Sequence, residues 1–175
     1  CVLIDNSAGG SLSSLTISAN EFFDINHINN TTGPVTFIRT SGSSVPSVTI
    51  INNLFREISL NNTATVFFIN RQSSSPANSL YTVAGNQVVG SFSKNGMAGD
   101  IFLISTIASS TAGVNSNTIL SNNTFSNITS SGTSRIVGYT YSMGESLTIS
   151  GNTLSNWNVG GISSNGNLGM TITAC

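Results

Sequence analysis

A six-residue pattern returns along the whole chain and constrains its fold more than any other feature. Each copy carries Thr four positions before its last residue and Ile or Val three positions before it. The six copies end at Asn20, Asn53, Asn86, Asn122, Asn152 and Cys175, with spacings of 33, 33, 36, 30 and 23 residues. A repeat of this length indicates coils that stack on their neighbours, because one such unit alone buries little apolar surface.

The alternation of side chains within each copy predicts a β-strand. In the first copy Leu15 and Ile17 are apolar, whereas Thr16 and Ser18 are polar, which is the period of two that a half-buried strand requires. A second, more apolar strand is predicted 10 to 18 residues after the Asn, and the Gly, Ser and Asn runs between them are typical of turns. Strands at this period, without helical patterns between them, predict a parallel β-solenoid.

The recurring Asn has a physical role in stacked coils. An Asn at the same bend of each coil can hydrogen-bond to the copies above and below, and it tolerates a left-handed backbone. We therefore predict a structural ladder of Asn20, Asn53, Asn86, Asn122 and Asn152. The residues after the fourth copy match the other coils only from Asn123 onward, which predicts a one-residue bulge there.

The repeat resembles the right-handed parallel β-helices of the pectate-lyase-like superfamily. Residues 147–156, Leu-Thr-Ile-Ser-Gly-Asn-Thr-Leu-Ser-Asn, are typical of its members, and the resemblance covers essentially all 175 residues. It implies an all-β fold, a right-handed parallel β-helix of about five to six coils that forms one segment over residues 1–175. Neither end shows a capping segment, so we expect a slice of a longer solenoid. The superfamily includes pectinases, phage tailspikes, adhesins and repetitive surface proteins, and the resemblance is to its non-catalytic adhesins and surface proteins.

Composition excludes several classes of partner. Charged residues make up 6% of the chain, with five Lys and Arg against six Asp and Glu. There is therefore no basic face to track a phosphate backbone, and we expect no nucleic-acid partner. No apolar run approaches the roughly 20 residues that span a bilayer, so no membrane span is expected. The 31 Ser, 23 Asn and 20 Thr that replace charge favour an extracellular or cell-surface location.

One pair of carboxylates is the candidate for catalysis. Asp24 and Glu57 each lie four residues after their Asn, so stacked coils would place them about 5 Å apart, with Arg56 nearby. A close carboxylate pair is what retaining glycoside hydrolysis uses. The same column continues as Gly90, Asn127 and Asn156, which indicates a solvated polar row. His27 is the only histidine and the two cysteines give no zinc spacing, so no metal or cofactor is expected.

The recurring Thr is the candidate for ligand binding. An outward row is predicted from Thr16, Thr49, Thr82, Thr118, Thr148 and Thr171. A regular, uncharged hydroxyl array is the kind of surface that orders ice-like water, so ice binding is one interpretation. The neighbouring outward column is irregular, with Ile51, Ala84 and Leu120 among its members. Strand propensity alone also explains a column of β-branched residues.

These observations favour a structural or adhesive surface protein that binds glycans weakly along its Ser, Thr and Asn face. One alternative is a polysaccharide-active enzyme fragment whose catalytic residues lie at Asp24 and Glu57 or outside this segment, and the other is an ice-binding protein. A neighbouring copy of the same chain is a further candidate partner. The apolar runs at residues 67–69 and 101–104 do not alternate, so about half of these side chains are expected to face outward under a cover.

Overall fold

A computed structural model describes the chain over residues 2–6, 12–41, 45–73, 75–96, 98–106, 113–131, 136–141, 146–159 and 169–172. These ranges contain 16 β-strands and no helix, which confirms the predicted all-β class. Over the same ranges, accordingly, the chain has no helix with the length and apolar character that crossing a membrane requires.

The strands form three parallel sheets, each taking every third strand of the chain. Sheet A has six strands: β1 (Val2–Asn6), β4 (Val35–Thr40), β7 (Val66–Arg71), β10 (Ile101–Thr106), β13 (Ile136–Tyr141) and β16 (Gly169–Ile172). Sheet B has five: β2 (Ser14–Ser18), β5 (Ser47–Ile51), β8 (Leu80–Ala84), β11 (Asn117–Ser121) and β14 (Ser146–Ser150). Sheet C has five: β3 (Glu21–Thr31), β6 (Leu54–Asn62), β9 (Gln87–Lys94), β12 (Thr124–Ser130) and β15 (Thr153–Val159). This topology is the predicted parallel β-solenoid.

The solenoid has about four turns, fewer than the five to six coils expected from the six copies of the repeat. The first five copies form the five strands of sheet B, and passing from its first strand to its last takes four turns. The last copy does not continue that sheet. It contributes to β16, which pairs with β13 in sheet A, with Thr171 opposite Thr140.

Each coil contains one strand more than the two that the sequence predicts. The repeated hexapeptide forms sheet B, and the apolar segment further along forms sheet A. The strand of sheet C begins directly after the bend, as β3 does at Glu21 and β6 at Leu54. Three walls enclose one core, so every coil buries apolar side chains from three directions.

Aromatic side chains from sheets A and C pack at the centre of this core. The rings of Phe22 and Phe55 stack with their centroids 4.9 Å apart and 5° between their planes. Phe37 and Phe68 contact each other at 5.4 Å and meet these rings from sheet A. Phe37, Phe55 and Phe68 are all 0% exposed. Aromatic pairs at such distances stabilise by about 0.5–1.5 kcal/mol beyond the area they bury.

The apolar runs of sheet A lie inside the core to a greater extent than predicted. Phe68 and Ile69 are consecutive in β7, yet both are 0% exposed and belong to the same apolar cluster. Leu103 and Ile104 in β10 repeat this arrangement. The expectation that about half of these residues face outward is therefore wrong. Only the column of Phe67 and Phe102 is partly exposed within these runs, and its two rings stack at 5.2 Å.

Candidate functional site

A ladder of Asn carboxamides runs along the bend between sheets B and C. Its five members are Asn20, Asn53, Asn86, Asn123 and Asn152. The Nδ2 group of each donates to Oδ1 of the next over 2.8 to 2.9 Å. The predicted ladder is therefore confirmed in kind, and four of its five predicted members are in place.

The side chains of Asn53, Asn86, Asn123 and Asn152 also bond to backbone groups of the neighbouring coils. Asn86 is 0% exposed, and its Nδ2 donates to the carbonyl of Ile50 over 3.0 Å as well as to Asn123. Its Oδ1 accepts from the backbone N–H and the Nδ2 of Asn53, over 3.0 and 2.8 Å. Because a bend breaks the strand ladder, these bonds supply partners to backbone groups that burial would otherwise leave unpaired.

The fourth rung is Asn123, so the placement of Asn122 in the ladder is wrong. Asn122 has a φ of 54° and an exposed side chain. It occupies the position directly before the rung, which Asn52 and Gly85 hold in the preceding coils with φ values of 56° and 65°. That position requires a left-handed backbone, and Asn and Gly adopt this conformation at low energy. The predicted bulge at residues 122–123 is wrong, because the register does not change across the bend: Ser121 lies opposite Ala84, and Thr124 lies opposite Gln87.

The Thr column keeps four of its six predicted members. Thr16, Thr49, Thr82 and Thr148 lie in register on the outer face of sheet B, and Ile119 takes the place of the fourth. Thr118 is 1% exposed and aligns with the inward Tyr81. Thr171 belongs to sheet A. Thr118 is inward because of the same one-residue shift, which places Leu120 beside the inward Val83 and Ile119 beside the outward Thr82.

The outer face of sheet B is free of charge. The strands β2, β5, β8, β11 and β14 contain no Asp, Glu, Lys or Arg. On either side of the Thr column lie small polar residues at one end of the sheet, with Ser14 and Ser18 flanking Thr16. Ser146 and Ser150 flank Thr148 at the other end. Ile51, Leu80 and Ala84 interrupt these flanking columns with apolar side chains.

Asp24 and Glu57 lie at equivalent positions in β3 and β6, as predicted. They are exposed, and their φ values are 52° and 51°. Gly90, Asn127 and Asn156 continue the column with φ between 55° and 76°. Each strand of sheet C therefore bends through a left-handed residue at this point. The sequence shows the column as polar, and the structure supplies the reason, because Gly and Asn are the residues that tolerate this backbone best.

Arg56 is positioned by Glu21 and Phe23. Its guanidinium forms an ion pair with the Glu21 carboxylate and lies 4.5 Å from the centroid of the Phe23 ring. Phe23 is 52% exposed, and it was not among the predicted site residues. The sequence shows Phe23 only as an apolar residue, and its outward position becomes evident only from the register of β3 with β6. We refer to Glu21, Phe23, Asp24, Arg56 and Glu57 together as the Phe23 patch.

The geometry of the Phe23 patch suits binding through charge, aromatic contact and hydrogen bonds. The Glu57 carboxylate accepts a hydrogen bond from the hydroxyl of Ser91 over 3.2 Å. Catalysis by the predicted pair of Asp24 and Glu57 stays a prediction. Across the described part of the chain, no group of three or more His, Cys, Asp or Glu is placed to hold a metal ion.

Two buried cations were not predicted. Arg71 is 2% exposed, and its guanidinium lies 4.4 Å from the centroid of the Tyr81 ring. Lys94 is 0% exposed, and its Nζ donates to the carbonyls of Gly96, over 3.3 Å, and Ala98. Burial lowers the pKa of Lys94 to about 8, although the nearby Asp100 opposes this shift. Burial also raises the pKa of Tyr81 to about 12, with Arg71 opposing.

A comparison of the chain with protein-family models, curated proteins and solved structures finds no match.

Proposed function

We propose that this protein is an extracellular or cell-surface β-solenoid with a structural or adhesive role, which binds glycans weakly through sheet B. One observation carries the proposal. Thr16, Thr49, Thr82 and Thr148 lie in register on a sheet whose strands have no charged residue.

A neutral hydroxyl surface matches the chemistry of a sugar chain. Hydroxyl groups donate and accept hydrogen bonds, as sugar hydroxyls do, and no charge must be desolvated when they meet. Each such bond replaces a bond to water, so it contributes only about 0.5–1.5 kcal/mol. We therefore expect weak binding at one point and stronger binding where many hydroxyls engage one polymer.

The resemblance of the repeat to adhesins of the pectate-lyase-like superfamily supports the surface location. The Asn ladder supports a structural role, because it joins five successive coils through side-chain hydrogen bonds, the two central ones of which are buried. Parallel coils with satisfied bends give a rigid scaffold on which surface side chains keep their spacing.

A glycan array tests the proposal. The 175-residue chain, displayed as a multivalent fusion, is expected to bind a subset of glycans. Thr49→Tyr and Thr82→Tyr, which block the centre of sheet B, should weaken binding to that subset. Thr129→Tyr places the same bulk on an exposed position of sheet C and serves as the matched control. An array without any bound glycan would contradict the adhesive role.

Ice binding is the second candidate function, and the register of Thr49 and Thr82 on the charge-free sheet favours it. The break at Ile119 limits the regular hydroxyl row to three consecutive coils. Thermal hysteresis that disappears in Thr82→Tyr would support this candidate. Zero hysteresis in the unmodified chain would exclude it.

A further inference from the structure

We propose that the Phe23 patch on sheet C is a binding subsite for an amine-bearing sugar, such as a glycan with free hexosamine groups. This inference rests on the proposed glycan binding and locates its charged subsite. The patch lies on β3 and β6, in a different sheet from the Thr column.

Charge is concentrated at the patch in a chain that otherwise avoids it. The chain has five Lys and Arg and six Asp and Glu, and three of those carboxylates and one guanidinium belong to the patch. The patch therefore has a formal charge of about −2, whereas the rest of the chain is slightly positive. The ion pair between Arg56 and Glu21 leaves Asp24 and Glu57, both exposed, as the two carboxylates of the patch outside that pair. A cationic ligand fits this balance.

An exposed aromatic ring belongs to the residue before Asp24, and it contacts Arg56, the residue before Glu57. Phe23 is 52% exposed, and the Arg56 guanidinium occupies one region over its ring at 4.5 Å. This contact orients the ring before any ligand arrives, which lowers the entropy lost on binding. Val89 follows Arg56 in the same outward column and is 44% exposed. Together these side chains offer an apolar surface to the C–H face of a pyranose, with acceptors for its ammonium and hydroxyl groups alongside.

The backbone at the two carboxylates is one that Asn adopts readily. Asp24 and Glu57 have φ values of 52° and 51°, in the left-handed region that Gly, Asn and Asp enter more readily than other residues. Gly90, Asn127 and Asn156 hold the same position in later coils. Asn can therefore replace either carboxylate and remove its charge without adding backbone strain.

Binding should distinguish sugars by charge. We would titrate the 175-residue chain with glucosamine oligomers, N-acetylglucosamine oligomers and galacturonate oligomers at about pH 5.5, below the ordinary pKa of an amine. The expected order is tightest for the amine, weaker for the neutral sugar and weakest for the uronate. Affinity for the amine should also fall as salt rises, since exposed charges are screened.

Three variants place the subsite. Asp24→Asn and Glu57→Asn keep a residue suited to the left-handed backbone, so both should fold, and each is expected to weaken amine binding by about threefold. Phe23→Ala should weaken it by about tenfold. Ile28→Ala is the matched control, because it removes an apolar side chain that is 72% exposed from the same strand as Phe23. Circular dichroism of each variant would verify the fold.

The outcomes separate this inference from the function on which it rests. Equal affinity for amine and N-acetylated oligomers, or amine binding unchanged in Asp24→Asn and Glu57→Asn, would overturn the subsite. If binding is instead lost in Thr49→Tyr, the glycan lies on sheet B and the proposed function stands without this inference. A chain that binds no sugar in either assay overturns both. Release of shortened oligomers that is lost in Asp24→Asn or Glu57→Asn would overturn the binding subsite in favour of the predicted catalytic pair.

Discussion

At the scale of single residues, a left-handed backbone recurs directly before each rung of the Asn ladder. The residues at that position are Ala19, Asn52, Gly85, Asn122 and Gly151, with φ between 54° and 65°. The carboxamide of Asn52 lies where a Cβ on Gly85 would be, and that of Asn122 lies where a Cβ on Gly151 would be. The alternation of Asn and Gly therefore lets one coil fill the space that the next coil leaves open.

Gly85→Ala tests this complementarity. The variant should lower the free energy of unfolding by about 2 kcal/mol, because it adds both left-handed strain and an overlap with Oδ1 of Asn52. In an Asn52→Ala background only the strain remains, so the cost should fall by about half. Gly33→Ala is the control, since a Cβ there meets nothing within 4 Å. Urea denaturation of the unmodified chain, the two single variants and the double variant gives the coupling free energy between positions 52 and 85. Purely additive effects would contradict the overlap between the two side chains.

The ladder makes a second prediction at this scale. Asn86→Ala leaves the donors of Asn53 and the carbonyl of Ile50 without their partner inside the core, which should cost about 3 kcal/mol in unfolding free energy. Asn20 is the end rung and is only half-buried, so Asn20→Ala should cost about 1 kcal/mol. Equal losses of unfolding free energy in the two variants, measured by urea denaturation, would contradict a larger contribution from the buried hydrogen bonds of the central rung.

At the scale of the strand, register decides which face a residue occupies, and here the sequence was informative only in part. The alternation around Ile17 and Ile50 predicted strands and their inward side correctly, because two apolar columns agreed. In β11 either Ile119 or Leu120 could be the inward residue, since both are apolar. The match of Thr118 to the Thr of the other copies predicts Ile119, whereas Leu120 is the inward residue in the structure. The Asn pair at residues 122–123 indicates the correct register, because residues 52–53 form the same pair and the second Asn of each pair is the rung. Phe23 could not be recognised before sheet C was known as a third wall.

The loop that joins β9 to β10 makes stability depend on pH. Its carbonyls at Gly96 and Ala98 accept from Lys94, whose pKa falls to about 8 because it is buried. Between about pH 8 and pH 10.5 the unfolded chain then binds more protons at Lys94 than the folded chain does, so stability rises with pH. Tyr81 acts oppositely. Its pKa rises to about 12 on burial, so above about pH 10 the unfolded chain loses that proton first and stability falls.

We therefore expect the melting temperature to rise from about pH 8 to about pH 10 and to fall above that. Lys94→Met should remove the rising part, and Tyr81→Phe should weaken the falling part, although burial of Tyr139 raises its pKa too and preserves some of the decline. Differential scanning calorimetry across this range tests the sign. A monotonic fall in the unmodified chain would contradict the effect of Lys94.

At the scale of the whole molecule, stacking explains why so few residues are charged. Equivalent residues of neighbouring coils lie about 4.8 Å apart, so a charge repeated in every coil would repel its own copies. Asn in the same column instead bonds to its copies, as the ladder and the pair of Asn78 and Asn115 show. The described ion pairs follow this logic, since Asp5 with Arg39 and Glu21 with Arg56 each join opposite charges across neighbouring coils. Low charge is thus a property of the architecture and does not by itself indicate a ligand.

Stacked coils also predict a gradient of stability along the axis. Ile50 and Val83, in central strands of sheet B, are 0% exposed, whereas Leu15 and Ile149 in its first and last strands are only partly buried. Central strands bond to neighbours on both sides, and the outer strands of sheet B do so on one side. Opening an outer coil therefore exposes less and breaks fewer bonds, so amides of β5, β8 and β11 should exchange with deuterium at least about tenfold more slowly than those of β2 and β14. Asn86→Ala should reduce protection most in β5, β8 and β11, next to the lost rung. Uniform protection across all five strands would show instead that the solenoid opens as a single cooperative unit.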